Sequence, residues 1–136
     1  MNITLKGREI PLVYTTWEMK QVQEEIGPMQ QAIRMVLGRG EEDGDMSRFG
    51  SAEHLQTAAT LIRILGNAGL EENGEKGDLT DKWILRNMKP ALIMAYAVAA
   101  MAVIVEGNRI EAPEEEQQGP VDEVLEEQNA KKQPGN

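Results

Sequence analysis

The sequence predicts a mainly α protein of the α+β type. An N-terminal β-hairpin packs on a small bundle of four to five helices, and a disordered acidic tail follows. Hydrophobic residues make up 40% of the 136 residues but aromatic residues only 4%, a composition that favours packed helices over a β-sandwich. Apolar residues recur at helical spacing through most of the first 107 residues. We therefore expect one globular domain over residues 1–107 and a tail over 108–136.

The first 14 residues alternate as a β-hairpin does. Glycine suits the first central position of a type II′ turn, so we place the turn at Gly7-Arg8. Opposite charges then meet beside the turn and the apolar residues share one face. The expected pairs are Lys6 with Glu9, Leu5 with Ile10, and Ile3 with Leu12. Such a hairpin needs cover, from its own helices or from a neighbouring subunit.

The next segment has the pattern of a helix that begins with a cap and is interrupted once. Thr15 with Glu18 forms the pattern of a capping box. Gly27-Pro28 breaks the helical stripe, because proline lacks a backbone donor and restricts the residue before it. We predict helices over about 16–26 and 28–37 with one common buried face, ended by Gly38. The stripe consists of Met19, Val22, Ile26, Met29, Ile33 and Val36.

A glycine-rich acidic loop, residues 38–51, precedes a helix predicted over 51–67. The loop lacks the glycine and the final glutamate that an EF-hand requires at Arg48 and His54, so we interpret it as solvated. His54 is the single histidine, and we expect it to be partly exposed on the first turn. No nucleophile pattern or second metal ligand accompanies it.

Two further helices are predicted, over 79–88 with Asp78 or Thr80 as its cap, and over 90–106. The second contains fifteen consecutive apolar or weakly polar residues from Ala91 to Val105. A membrane span needs about 20 mostly apolar residues. The shorter length, the many alanines and the charged ends favour a buried helix of a soluble domain. One side of it is a candidate surface for a partner.

The tail changes composition at Asn108. From there to the end it has eight acidic and three basic residues and is rich in Pro, Gly, Glu and Gln, which is typical of disorder. Within it, Val121, Val124 and Leu125 have the spacing of one helical turn and could bind a partner.

Several function classes are disfavoured by these features. A net charge of -9 repels nucleic acid and anionic membranes. There is no cysteine, a single histidine and no phosphate-binding glycine loop, so we expect no catalytic residues, metal, cofactor or small-molecule substrate. The N-terminus has no secretory signal pattern, and we expect a cytoplasmic protein.

The hairpin sequence ITLKGREIPLVYT, the capped helix after it, the small helical body and the charged C-terminus together resemble the tail assembly chaperones of long-tailed bacteriophages and prophages. The resemblance implies a non-enzymatic protein that binds the long helical tape measure protein while the tail assembles. The alternative is a small self-assembling virion or adaptor protein, and a homo-oligomer is compatible with both. The candidate partner-binding residues are Leu92, Ile93, Tyr96, Met101, Ile104, Val121, Val124 and Leu125.

Overall fold

A computed structural model describes residues 1–110. It confirms the mainly helical class with an N-terminal two-stranded hairpin. The elements in chain order are β1 (Asn2–Leu5), β2 (Arg8–Pro11), α1 (Thr16–Glu25), α2 (Met29–Val36), α3 (Ala52–Glu72), α4 (Asp81–Asn87), a 3₁₀ turn (Pro90–Leu92) and α5 (Ile93–Gly107). The predicted tail, apart from its first three residues, lies outside the described residues.

The hairpin forms, but its predicted turn is wrong. The turn residues are Lys6 and Gly7, with φ of 51° and 75°, and Leu5 pairs with Arg8. Positive φ at both central residues defines a type I′ turn, one of the two turn types whose twist matches that of the flanking strands. The register moves by an even number of positions, so the predicted apolar face is kept. Its four members are all buried: Ile3, Leu5, Ile10 and Leu12.

Both outer edges of the hairpin lie against the rest of the chain. On β1, the Tyr96 hydroxyl donates a hydrogen bond to the Thr4 carbonyl at 3.0 Å. Beyond β2, the Val13 N–H donates to the Leu65 carbonyl of α3 at 3.1 Å. Pro11 has no N–H to offer, as expected for a residue at a sheet edge. The hairpin therefore pairs with itself and docks on α3 and α5 of its own chain.

The capping box at the start of α1 is confirmed. The Thr15 side chain accepts from the backbone of α1, and the Thr15 N–H donates to Glu18 Oε1 at 2.8 Å. Gly27, with φ of 144°, and Pro28 separate α1 from α2. Gly38, with φ of 71°, ends α2 in a Schellman motif: the Arg39 N–H donates to the Arg34 carbonyl at 2.9 Å.

The predicted stripe is wrong at Met19, which is 36% exposed. Helix α1 instead buries Glu18 and Val22. Glu18, which belongs to the capping box and directly precedes Met19, therefore lies on the inner face of the helix. The other five members of the stripe are buried or half-buried.

Helix α3 is longer than predicted, because it continues past residue 67 to Glu72. Gly66 and Gly69 lie near the predicted helix end at residue 67, but both are buried inside α3. A Cβ at Gly66 would lie 2.7 Å from Leu79 Cδ1, and one at Gly69 would overlap the Pro11 carbonyl oxygen. These glycines thus permit close packing of the hairpin rather than ending the helix. Gly74, with φ of 80°, follows the true end.

The prediction for His54 is also wrong, since its side chain is only 2% exposed. Its Nε2 lies 3.0 Å from the Val36 carbonyl, and its Nδ1 accepts from the Gly50 N–H at 2.9 Å. With Nδ1 as acceptor, Nε2 carries the proton and donates to Val36. His54 therefore joins the end of α2, the glycine-rich loop and the start of α3.

Helix α4 begins after Thr80, whose hydroxyl accepts from the Trp83 N–H at 3.1 Å. A group of charged side chains links α4 to α3 and α1. Arg63 of α3 bonds Asp81 at 2.6 Å and also pairs with Glu25 of α1. The hydrogen bond with Glu25, followed by the interactions with Asp81, raises the pKa of Arg63 against the opposing effect of burial.

Replacing His54 tests its linking role. We expect His54→Ala to lower the free energy of unfolding by about 2–4 kcal/mol, because it opens a cavity and leaves the buried Val36 carbonyl without its donor. His54→Asn keeps an acceptor near the place of Nδ1 and should recover part of that loss. Urea unfolding measures both; a loss below about 0.5 kcal/mol for alanine, the value of an ordinary surface change, would contradict the geometry.

The two α3 glycines form a matched pair. Alanine inside a helix is intrinsically more stable than glycine by about 1 kcal/mol. At Gly69 that gain should be outweighed by overpacking of about 1–3 kcal/mol, because the Pro11 backbone cannot turn away. Gly66→Ala meets two methyl groups that can shift, and should be nearer neutral. Thermal unfolding compares the two variants, and equal effects would show that the hairpin does not approach α3 as described.

Candidate functional site

Helix α5 is covered on one side only. Its buried residues are Ile93, Ala97, Ala100 and Ile104, spaced by four, three and four positions, and this face packs against α3. The sequence left open whether the chain covers every side of this helix, and the structure shows one side exposed. The centre of the bundle is occupied by α3, in which twelve of 21 residues are buried, and α5 lies against its flank.

The opposite side of α5 carries a second apolar row, which we call the α5 seam. It consists of Ala91, Ala95, Val98, Ala102 and Val105, spaced by four, three, four and three positions. Four of these are exposed and Ala102 is half-buried; Val98 and Val105 keep 53% and 63% of their accessible surface. The spacing is that of the a and d positions of a heptad repeat, where a partner helix packs.

The structure places the predicted partner-binding residues in different environments. Leu92 is 42% exposed and borders the α5 seam. Ile93 and Ile104 are 8% and 3% exposed, so they belong to the core and their assignment as surface contacts is corrected. Tyr96 is half-buried, with its hydroxyl on the hairpin.

Met101 is half-buried on the flank of α5 that faces α1 and α2. With Ile104 it lines an apolar contact region that includes Val22, Met29 and Val36. Its side chain thus helps to seat α5 on the body. Val121, Val124 and Leu125 lie outside the described residues.

Val98 and Val105 are not among the predicted partner-binding residues, although both are exposed. The large isoleucines of this segment point inward, where volume is needed, and the exposed row is made of alanine and valine. The signal that could have found it is the spacing: two interleaved apolar rows on one helix mean that one row lacks cover within a small domain.

The C-terminal end of α5 is fixed by Tyr14. A Cβ at Gly107 would lie 2.7 Å from Tyr14 Cδ2, so glycine allows the aromatic ring to pack on the helix end. Burial raises the pKa of the Tyr14 phenol; a hydrogen bond with Asn108 opposes this and the charge of Glu18 adds to it. Helix α5 is therefore held in place at the point where the chain leaves the body.

The chemistry of the α5 seam is apolar throughout, with Lys89 before it and Glu106 near its end. Within residues 1–110, no group of three or more histidine, cysteine, aspartate or glutamate side chains could hold a metal. In the acidic loop, Asp45 accepts from the Ser47 N–H at 3.0 Å, and its hydrogen bonds with Ser47 lower the pKa of the Asp45 carboxyl. The α5 seam itself can therefore bind another apolar surface.

One described segment, Pro90–Gly107, is long and apolar enough to cross a membrane by length and composition, and 22% of it is buried. It comprises the 3₁₀ turn and α5. Four residues of α5 are part of the same core as the hairpin and α3. One side of the segment therefore packs into the core, and the α5 seam on its other side remains exposed.

Neither a family model, nor a curated protein, nor a solved structure matches this chain.

Proposed function

We propose that this protein is a non-enzymatic assembly chaperone, of the kind that serves phage tails, and that it holds a long helical client of the tape measure type. The observation that carries the proposal is the exposed apolar α5 seam on a folded acidic body. Exposed apolar surface of this kind marks interaction sites, and a high net charge keeps the carrier of such a surface soluble.

A helix is the client structure that the α5 seam fits best. The 4-3-4-3 spacing keeps its five residues in line along α5, as an apolar seam does where two helices cross at a shallow angle. Three of the five are alanines, so a partner backbone can come close. The client implied by the family resemblance, a tape measure protein, is long and helical.

The length of the seam favours reversible binding. Ala91 and Val105 are separated by about 21 Å along a helix axis, at about 1.5 Å per residue. One helix laid on so short a row buries less than the roughly 1,200 Å² at the lower end of stable protein interfaces. A chaperone that must release its client suits such a contact, and several copies along a long client would add to solubility.

The alternative function is that of a small self-assembling virion or adaptor protein. Here the α5 seam would meet the same seam of a second copy, in a symmetric homodimer. The short seam argues for a weak dimer. Assembly through the edge of the hairpin is disfavoured, because Tyr96, Pro11 and Val13 already lie at those edges.

Co-expression with the tape measure protein of the same genome tests the proposal. The wild type should keep that protein soluble and co-purify with it. The double variant Val98→Lys, Val105→Lys should weaken binding tenfold or more, a cost of about 1.4 kcal/mol or more, because two charges enter an apolar contact. Lysine is a better helix former than valine, so α5 should remain folded.

The matched control is Thr16→Lys, Met19→Lys on α1, which adds the same charge at two exposed positions outside the α5 seam. It should bind as the wild type does, and thermal melting should show both variants folded. A soluble tape measure protein that never co-purifies would contradict the proposal. Loss of a dimer in the α5 variant without any client effect, measured by sedimentation, would favour the alternative; binding to neutral lipid vesicles would identify a membrane surface instead.

A further inference from the structure

Three arginines surround one cleft of this acidic protein. Arg34, Arg39 and Arg48 line a cavity of about 210 Å³ beside the C-terminal end of α2, with Glu41 as the single acidic residue in the lining. The residues of this cleft come from three places in the chain: the last turn of α2, the Schellman motif after it, and the glycine-rich loop. It is separate from the α5 seam, and the inference below does not depend on the proposed function.

Backbone contacts hold the three positions together. The Arg39 N–H bonds the Arg34 carbonyl at 2.9 Å, which fixes the first two. The loop that carries Arg48 is held by His54, through the Gly50 N–H and the ring contact with Phe49 at 4.9 Å. The buried His54 thus determines where the third guanidinium lies.

The charges of the cleft are incompletely balanced within residues 1–110. Arg48 makes an exposed ion pair with Glu53 at 3.4 Å, whereas Arg34 and Arg39 have no carboxylate within 4.0 Å in this part of the chain. A cation near the end of a helix is favoured by the helix dipole, which accounts for Arg34. It does not account for the convergence of three arginines in a body whose net charge over residues 1–110 is -3.

The size and chemistry of the cleft point to carboxylate side chains of a peptide. Guanidinium groups bind carboxylates through paired, charge-assisted hydrogen bonds. The volume of about 210 Å³ lies below the roughly 300–1,000 Å³ of small-molecule sites. Residues 111–136 contain eight acidic and two basic side chains, a net charge of -6, so charge complementarity is available within the same polypeptide.

We propose that the arginine cleft binds the chain's own acidic segment, Glu111–Glu127, with the run Glu114–Glu116 nearest to the arginines. Gly107 packs against Tyr14, whose hydroxyl lies 4.0 Å from the Met29 sulfur at the start of α2, so the chain leaves the body beside the N-terminal end of that helix. Helix α2 is about 12 Å long, at about 1.5 Å per residue. Four extended residues after Ile110 span up to about 14 Å, so Glu114 can reach the far end of α2.

A spin label on the acidic segment tests the proposal in the full chain. The protein has no cysteine, so Gln118→Cys gives a single attachment site for a nitroxide. The amide signals of Arg34, Arg39 and Arg48 should lose intensity in the NMR spectrum. The Arg48 signal should recover in the variant Arg34→Gln, Arg39→Gln, and all three signals should recover in 1 M salt, where the screening length falls to about 3 Å.

The control variant Lys82→Gln, Arg86→Gln removes the same charge from α4 and should leave the effect in place. Mixing spin-labelled protein with isotope-enriched protein that carries no spin label distinguishes binding within one chain from binding between two copies. Broadening of the arginine signals in this mixture as strong as in the labelled chain itself would overturn binding within the chain in favour of a second copy. Shifts of the arginine signals on adding inorganic phosphate, without any effect of the spin label, would overturn the proposal in favour of a free-anion site. Unchanged arginine signals in every arm would also overturn it.

Discussion

The burial of α3 is the constraint on which the rest of the structure depends. Twelve of its 21 residues are buried, including Gly66 and Gly69, and β2, α1, α2, α4 and α5 all pack against it. Because one helix takes the centre, each of the others can cover α3 with one face only. For α2 and α4 this is sufficient, since their outer faces carry charged and amide side chains, and on α1 the same side chains are joined by the exposed Trp17 and Met19. Helix α5 is apolar on both faces, so the same arrangement leaves its outer row uncovered.

Much of the fold could be predicted because local signals act through the backbone itself. Thr15 with Glu18 satisfies the first turn of α1, and Gly38 supplies the left-handed conformation that ends α2. Neither depends on distant residues. The apolar parity of the hairpin was also sufficient to find its buried face. Alternation does not show whether Lys6-Gly7 or Gly7-Arg8 forms the turn, because moving the register by two positions keeps the same face buried.

The features that could not be predicted depend on tertiary neighbours. A glycine gives the same sequence signal whether it ends a helix or permits close packing. For Gly69, only the contact with the Pro11 carbonyl shows that close packing is its role. His54 on a first turn would be exposed in most helices; here the loop before it folds back and supplies both hydrogen-bonding partners. For the candidate site, Leu92 was identified and Val98 was not, because which face of α5 is covered depends on the position of α3.

The α5 seam is the feature of this acidic, mostly helical body on which the proposed binding of other proteins depends. Elsewhere on the body, Tyr96 contacts the β1 edge of the hairpin, and His54 and Arg63 link loops and helices. An apolar row with heptad spacing on such a body has the properties of a docking surface for a helix. The arginine cleft, at the other side of α2, concerns the chain's own acidic segment and stands apart from this.

Cysteine accessibility along α5 tests the central claim most directly, since the protein contains no cysteine of its own. Single cysteines at Val98 and Val105 should react rapidly with a maleimide in the folded protein, whereas those at Ala97 and Ala100 should react only as fast as the protein opens. Addition of the proposed client, a tape measure protein, should protect Val98→Cys. Equal reactivity at the four positions, or protection of Val98→Cys in the isolated monomer, would contradict an exposed α5 seam.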